Sequence, residues 1–194
     1  MNKAIQNRAI SHNTKVYFDM DGTLAEWRPA ASMEELLTPG YFASLAPHKH
    51  VVALAKDLLM LGYPVAILSA VLGPQQEREK REWLMREFGD LLSELTVVFV
   101  PCGANKSRYV DASGAVLLDD HSPNLWQWHA AEGIAIKAIN QINGSGKSWR
   151  GARIDALSPI PVSSFLALIN ASRVRVFHAP IRMPKAICLE APVK

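Results

Sequence analysis

Short runs of consecutive apolar residues alternate along this chain with longer stretches whose apolar positions recur at helical spacing. Val16-Tyr17-Phe18 is the first strong run. It ends in Asp19-Met20-Asp21-Gly22-Thr23, so it reads as a strand opening into a loop at its C-terminal end. Pro29, Pro39, Gly40 and Pro47 then punctuate an irregular segment, with a short helical piece at 32–37. Residues 48–61 carry Val51, Val52, Leu54, Ala55, Leu58 and Leu59 at helical spacing, and Gly62 stops them. The pattern next predicts a strand at 64–68 that ends at Ser69, then a charged amphipathic helix at 75–88 with Trp83, Leu84 and Phe88 on one face. Strands follow at 96–100 and at 115–118, the latter ending at Asp119-Asp120. Ser122-Pro123 opens a helix containing Leu125, Trp126 and Trp128, with proline at a favoured early position. Residues 134–139 form a fifth apolar run, 140–160 read as loop, and 162–169 read as a last helix. Strands alternating with helices predict a three-layer α/β/α Rossmann-like parallel sheet with both faces covered, the three tryptophans of the helices packing onto it.

Composition narrows the class. The chain has 194 residues, 49% hydrophobic and 20% charged, which excludes a disordered chain. One domain at 15–170 fits that length, with a flexible polar N-terminus at 1–14 and an extension at 171–194. Cys102 and Cys188 make no disulfide framework, and Cys102 reads as structural. No run reaches the roughly 18 apolar residues of a membrane span. The first fifteen residues do not read as a signal peptide, so a soluble cytoplasmic protein with no membrane partner is expected. For the same reason the Asn-x-Ser patterns at Asn105, Asn143 and Asn170 carry no weight as glycosylation sites. The formal net charge of +3 is unevenly spread: residues 1–170 are near −1, and the tail from 171 is +4. Val174-Arg175-Val176-Phe177 in that tail alternates like a strand that could add to a sheet edge or pair two copies as a homodimer.

In parallel α/β sheets ligands bind beyond the C-terminal strand ends. Asp19, Asp21, Ser69, Asp119 and Asp120 all fall at predicted strand ends, so they should converge on one rim. Four carboxylates gathered there would repel one another unless a cation sat among them. Oxygen ligands favour a hard ion, which points to Mg2+.

The ordered set Asp19-Met20-Asp21-Gly22-Thr23, Ser69, Lys106, Asp119-Asp120 resembles the four-motif signature of the haloacid dehalogenase-like (HAD) superfamily, most of whose members transfer phosphoryl groups. The resemblance implies that Asp19 is a nucleophile forming an aspartyl-phosphate, and that Asp21 is the acid–base group. It implies that Gly22 turns amides toward the phosphate, that Ser69 donates to it, and that Lys106 neutralises it. Mg2+ would be held by the Asp19 and Asp120 carboxylates and the Asp21 carbonyl, with Asp119 orienting them or acting through water. The second aspartate, Asp21, argues for phosphate chemistry, because the dehalogenases that name the superfamily lack it.

A narrower resemblance covers about residues 15–169. Gly40-Tyr41-Phe42-Ala43-Ser44-Leu45, Glu79-Lys80-Arg81-Glu82-Trp83 and Asp119-Asp120-His121-Ser122-Pro123-Asn124 are similar to the 5′(3′)-deoxyribonucleotidase family. This implies a small cap inserted at 28–47, and a (deoxy)nucleoside monophosphate as substrate. Trp27, Tyr41 and Phe42 would line the base pocket, with cap-to-core packing as the alternative for each. Lys80 would lie near the phosphate, with a solvated place on its charged helix as the alternative. The cap is shorter than in better-known members, and Ala70 replaces a second hydroxyl residue.

Other phosphoryl readings are a phosphatase of sugar phosphates or of nucleic-acid ends, and a phosphoacceptor signalling module without turnover. The signalling module would need its acidic pair after the first strand, and here the pair follows Lys106. No basic and aromatic strip suited to nucleic acid is present. Gly144-Ser145-Gly146-Lys147-Ser148 lacks the early glycine of a phosphate loop, since position 141 is Gln, and reads as a flexible loop by the rim where Lys147 could touch substrate. His48 and His50 read as solvated, and His121 as either site-facing or surface.

Overall fold

The computed structural model describes residues 11–142 and 149–175. Six parallel strands form one sheet: β1 (Val16–Phe18), β2 (Val65–Val71), β3 (Thr96–Pro101), β4 (Val116–Asp119), β5 (Ile134–Ile139) and β6 (Ala152–Asp155), in the order β3-β2-β1-β4-β5-β6. The chain winds outward from β1 to β3, returns beside β1 as β4, and winds outward again. The point of return, between β1 and β4, is where such sheets leave a crevice at their carboxyl ends.

Alternation along the strands assigns the two faces. Val16, Phe18, Val116, Leu118, Ile134 and Ile136 join one core with α2 (Lys49–Met60), α3 (Pro74–Phe88) and α5 (Val162–Arg175). Tyr17, Leu117 and Ala135 point the other way and pack with Leu125 and Trp128 of α4 (Ser122–Ala130). A strand buried on both faces reads as a continuous apolar run, which is why β1, β4 and β5 were legible. Trp83 and Trp128 are fully buried as expected, whereas Trp126 is half-buried against Trp149.

Several expectations need correction. The segment read as loop at 140–160 contains β6, which pairs with β5 from Ala152 opposite Ile136 to Asp155 opposite Ile139. Ser69 lies inside β2 rather than past its end, because β2 continues to Val71 alongside β3. Val174 and Arg175, read as strand, belong to α5, and the rest of that strand falls outside the described residues. So do residues 1–10 and the glycine-rich loop at 143–148. Within the stretch read as a flexible N-terminus, Thr14 is buried and its hydroxyl accepts from Arg173 at 2.7 Å. Cys102 is exposed just past β3. Among the described residues no helix is long and apolar enough to cross a membrane.

Candidate active site

The site begins with the turn after β1. Asp19 N–H donates to the Leu118 carbonyl at 2.9 Å, so the first aspartate is still held by the sheet. The Met20 carbonyl then accepts from the N–H groups of Thr23, Leu24 and Ala25, winding the chain tightly. Gly22 sits at φ +79°, and a Cβ there would lie 2.2 Å from Asp120 Oδ2. Only glycine lets this loop both turn left-handed and lie against the end of β4.

Lys106 is the electrostatic centre. It starts a 3-10 helix at Lys106–Arg108, capped by Asn105, whose side chain accepts from Ser107 N–H at 3.0 Å. Its Nζ donates to Asp19 Oδ1 at 2.6 Å and to Asp119 Oδ2 at 2.8 Å. Burial alone would lower the Lys106 ammonium, but Asp119 and Asp19 outweigh it and hold its pKa above the ordinary value. Asp119, fully buried, also accepts from Asn124 Nδ2 at 2.8 Å and from His121 N–H at 2.7 Å. His121 itself is exposed. Lys106, Asn124 and His121 together fix the orientation of the Asp119 carboxylate.

Negative charge remains in excess. Burial pushes the Asp19 carboxyl up to about 7, with Lys106 opposing and Asp119 and Asp21 adding to the rise. Burial also raises Asp120 well above the carboxylate range, helped by Asp119 and Asp19 and opposed by Asn140 and Lys137. Asp19, Asp119 and Asp120 each place one oxygen within 4.8 Å of the others. Buried carboxylates that cannot all ionise unaided are the environment that a hard divalent cation stabilises, so the donor set fits such an ion.

Lys80 lies on the opposite flank of Asp21. The structure overturns the solvated alternative for it: its side chain is fully buried. Its Nζ lies 2.5 Å from Asp21 Oδ2, 2.9 Å from Ser69 Oγ and 2.6 Å from the Ala70 carbonyl. The other oxygen, Asp21 Oδ1, is buried without a hydrogen-bond partner among the described residues. Asp19, Asp21, Gly22, Ser69, Lys80, Lys106, Asp119 and Asp120 are thus brought together at one end of the sheet.

Residues 28–47 leave and rejoin this turn through a narrow stem. Glu26 N–H donates to the Ala46 carbonyl and His48 N–H to the Leu24 carbonyl, both at 2.7 Å. His48, expected to be solvated, is buried in this stem, and neither ring nitrogen has a partner among the described residues. His50 is half-buried. Within this segment lies α1 (Met33–Leu36), with no buried residue. Tyr41 and Phe42 are buried, their rings edge-to-face at 5.0 Å, and Tyr41 donates its hydroxyl to the Arg28 carbonyl. Trp27 is half-buried and meets Tyr41 edge-on at 6.5 Å. Packing thus occupies Tyr41 and Phe42, while the Phe42 ring covers Lys80 Nζ at 5.1 Å.

No protein-family model matches the chain, and no curated protein matches it in sequence. Solved structures do match in fold. A HAD hydrolase of family IA, variant 3, from Entamoeba histolytica aligns with TM-score 0.55 and 13% identity over 80% of this chain and 99% of that one. D,D-heptose 1,7-bisphosphate phosphatase from Burkholderia thailandensis aligns with TM-score 0.54 and 12% identity over 80% of this chain and 97% of that one. The fold is HAD-like.

Two residues of this HAD-like sheet were missed in the sequence. Lys137 on β5 is buried and donates to the Asp120 carbonyl and to Ser122 Oγ, the latter at 3.0 Å; burial lowers its pKa. A lone lysine inside Ile-Ala-Ile-Lys-Ala-Ile was a usable signal, because a charge in a doubly covered strand requires a partner. Asn140, just past β5, donates from Nδ2 to the Gly22 carbonyl at 2.7 Å and to Asp120 Oδ2 at 3.0 Å. An isolated Asn after a strand looks like any loop start, so nothing in the sequence marked it.

Proposed function

We propose that this chain is a divalent-metal-dependent phosphomonoester hydrolase working through an aspartyl-phosphate. The observation that carries this is Asp19 just past the end of β1, tied by Lys106 to Asp119, with Asp120 and Asp21 close enough to act on its charge. Asp19 attacks phosphorus while the bond to the leaving oxygen breaks, and Asp21 supplies the proton that oxygen needs. Oδ1 of Asp21 carries that proton, because Oδ2 is held by Lys80. A water then gives its proton back to Asp21 and attacks phosphorus, releasing inorganic phosphate and the Asp19 carboxylate. Ser69, the amides near Gly22, Lys106 and Lys80 bind the phosphoryl oxygens, which is the positioning and charge compensation such transfers need. The Asp19 and Asp120 carboxylates with the Asp21 carbonyl would hold Mg2+, which would supply further neutralisation of phosphoryl charge. Its hardness matches an all-oxygen donor set.

For substrate we favour a (deoxy)nucleoside monophosphate, supported by Trp27 at the mouth of the segment 28–47 and by the three motifs quoted for the nucleotidase resemblance. A sugar phosphate is the second reading, motivated by the heptose bisphosphate phosphatase that shares the fold. A panel of nucleoside monophosphates and sugar phosphates, assayed with and without Mg2+, separates the two. Hydrolysis that requires the metal, prefers nucleotides and vanishes in Asp19→Asn is the expected result. Asp19→Asn turning over at the wild-type rate would refute the mechanism, and a sugar preference would refute the substrate.

A further inference from the structure

Helix α3 grips the backbone of residues 37–45 as well as packing against their side chains. Gln75, Glu79 and Trp83 recur every four residues and share one face. Gln75 Nε2 donates to the Leu37 carbonyl at 3.0 Å, and Trp83 Nε1 donates to the Leu45 carbonyl at 2.8 Å. Between them the Glu79 carboxylate takes Gly40 N–H on Oε1 at 2.9 Å and Phe42 N–H on Oε2 at 3.0 Å. Glu79 is buried, and Gln75 braces its Oε1 at 3.0 Å. Burial alone would raise its pKa, but the bonds from Gly40, Gln75, Phe42 and Ala43 outweigh it, so it stays ionised. The next residue, Lys80, reaches Asp21 and Ser69 and lies under the Phe42 ring.

We infer that Glu79 is a positioning residue: by clamping the Gly40 and Phe42 amides it sets the Phe42 ring over the Lys80–Asp21 pair. Its carboxylate bonds go to Gly40, Phe42 and Gln75, and, resting on the phosphatase reading above, it governs the fit of the leaving group. A carboxylate is required because two converging N–H groups need two acceptors; an amide offers one acceptor and opposes the other N–H with its own.

The test uses the full chain with Glu79→Ala, Glu79→Gln and a control, Glu77→Gln, whose side chain pairs with Arg81 on the surface of α3. Hydrogen exchange at Gly40 and Phe42 should speed up at least tenfold in Glu79→Ala, and at one of the two in Glu79→Gln, with Glu77→Gln matching wild type. In kinetics, kcat/KM for a deoxynucleoside 5′-monophosphate should fall at least tenfold more than for acetyl phosphate, whose leaving group cannot reach residues 37–45, and the loss should lie mainly in KM. Unchanged exchange at both amides, or equal losses on the two substrates, would overturn the inference. Exchange needs no turnover, so a wild-type protein that hydrolyses neither substrate would sink the phosphatase reading while exchange still decides the role of Glu79.

Discussion

Replacing Lys106 by Met keeps most of the length of the unbranched side chain and removes its charge. In the native protein the ammonium lies 2.6 Å from Asp19 and 2.8 Å from Asp119, and all three side chains are 10% exposed or less. Breaking a buried ion pair by removing one partner costs about 3–5 kcal/mol, because the partner's charge is left without compensation. Domains of this kind have about 5–15 kcal/mol in total, so the variant should fold but be severely weakened. The loss should also depend on pH. The Asp19 carboxyl, ordinarily at 3.8, is raised by burial to about 7 even with Lys106 opposing. A carboxyl raised in the folded state holds its proton longer there than in the unfolded chain. In metal-free protein its stabilising protonation is therefore complete below 3.8 and is lost as pH climbs through about 7. Without Lys106 the native value moves higher still, so the decline continues above that point, at up to about 1.4 kcal/mol per pH unit for each carboxyl involved. Urea unfolding from pH 5 to 9, followed by tryptophan fluorescence in the presence of a chelator, reads this directly. The Lys106→Met deficit should be smallest at pH 5, and added Mg2+ should recover part of it by binding only the folded form. A deficit under about 1 kcal/mol that is the same at pH 5 and pH 9 would refute the reasoning, since 3–5 kcal/mol is the expectation for a buried pair.

Gly22→Ala forces a Cβ into a left-handed position, at a cost of about 1–2 kcal/mol, and toward Asp120 Oδ2. Calorimetric titration should show Mg2+ affinity falling about tenfold or more, as when a metal ligand loses its support; unchanged affinity would separate the loop from the metal site. His48→Leu removes two buried ring nitrogens that have no partner among the described residues. Burial holds the His48 pKa below its ordinary 6.5, so the unfolded chain takes up a proton first and the wild type loses stability as pH falls below 6.5. Thermal melts of the variant minus wild type should diverge in the variant's favour from pH 7.5 down to pH 5, and parallel curves would contradict this.

The acidic rim was legible because apolar runs that fill a doubly covered sheet ended in acids: Phe18 before Asp19, Leu118 before Asp119. What the pattern hid depended on partners distant in sequence. The polar Ser69 reads as a strand end, yet β2 runs on because β3 pairs with it from Ala66 to Val71. Arg153 and Asp155 make β6 look like loop, and β5 supplies its ladder. The helix at 75–88 displays charge on most of its surface, and nothing local says that Glu79 and Lys80 are its buried charges. That follows only from residues 37–45 and Asp21 folding against it. His48 sits between Pro47 and Lys49 and reads as surface, but the stem of the inserted segment closes over it.

The central claim is that Asp19 receives the phosphoryl group. Rapid quenching of the protein during turnover of a nucleoside monophosphate with Mg2+, followed by peptide mass spectrometry, tests it most directly. The expected result is a base-labile phosphoryl adduct on the peptide containing Asp19, absent in Asp19→Asn and absent when a chelator removes the metal. Turnover with no adduct at any quench time, together with inversion rather than retention of configuration at phosphorus, would contradict the account.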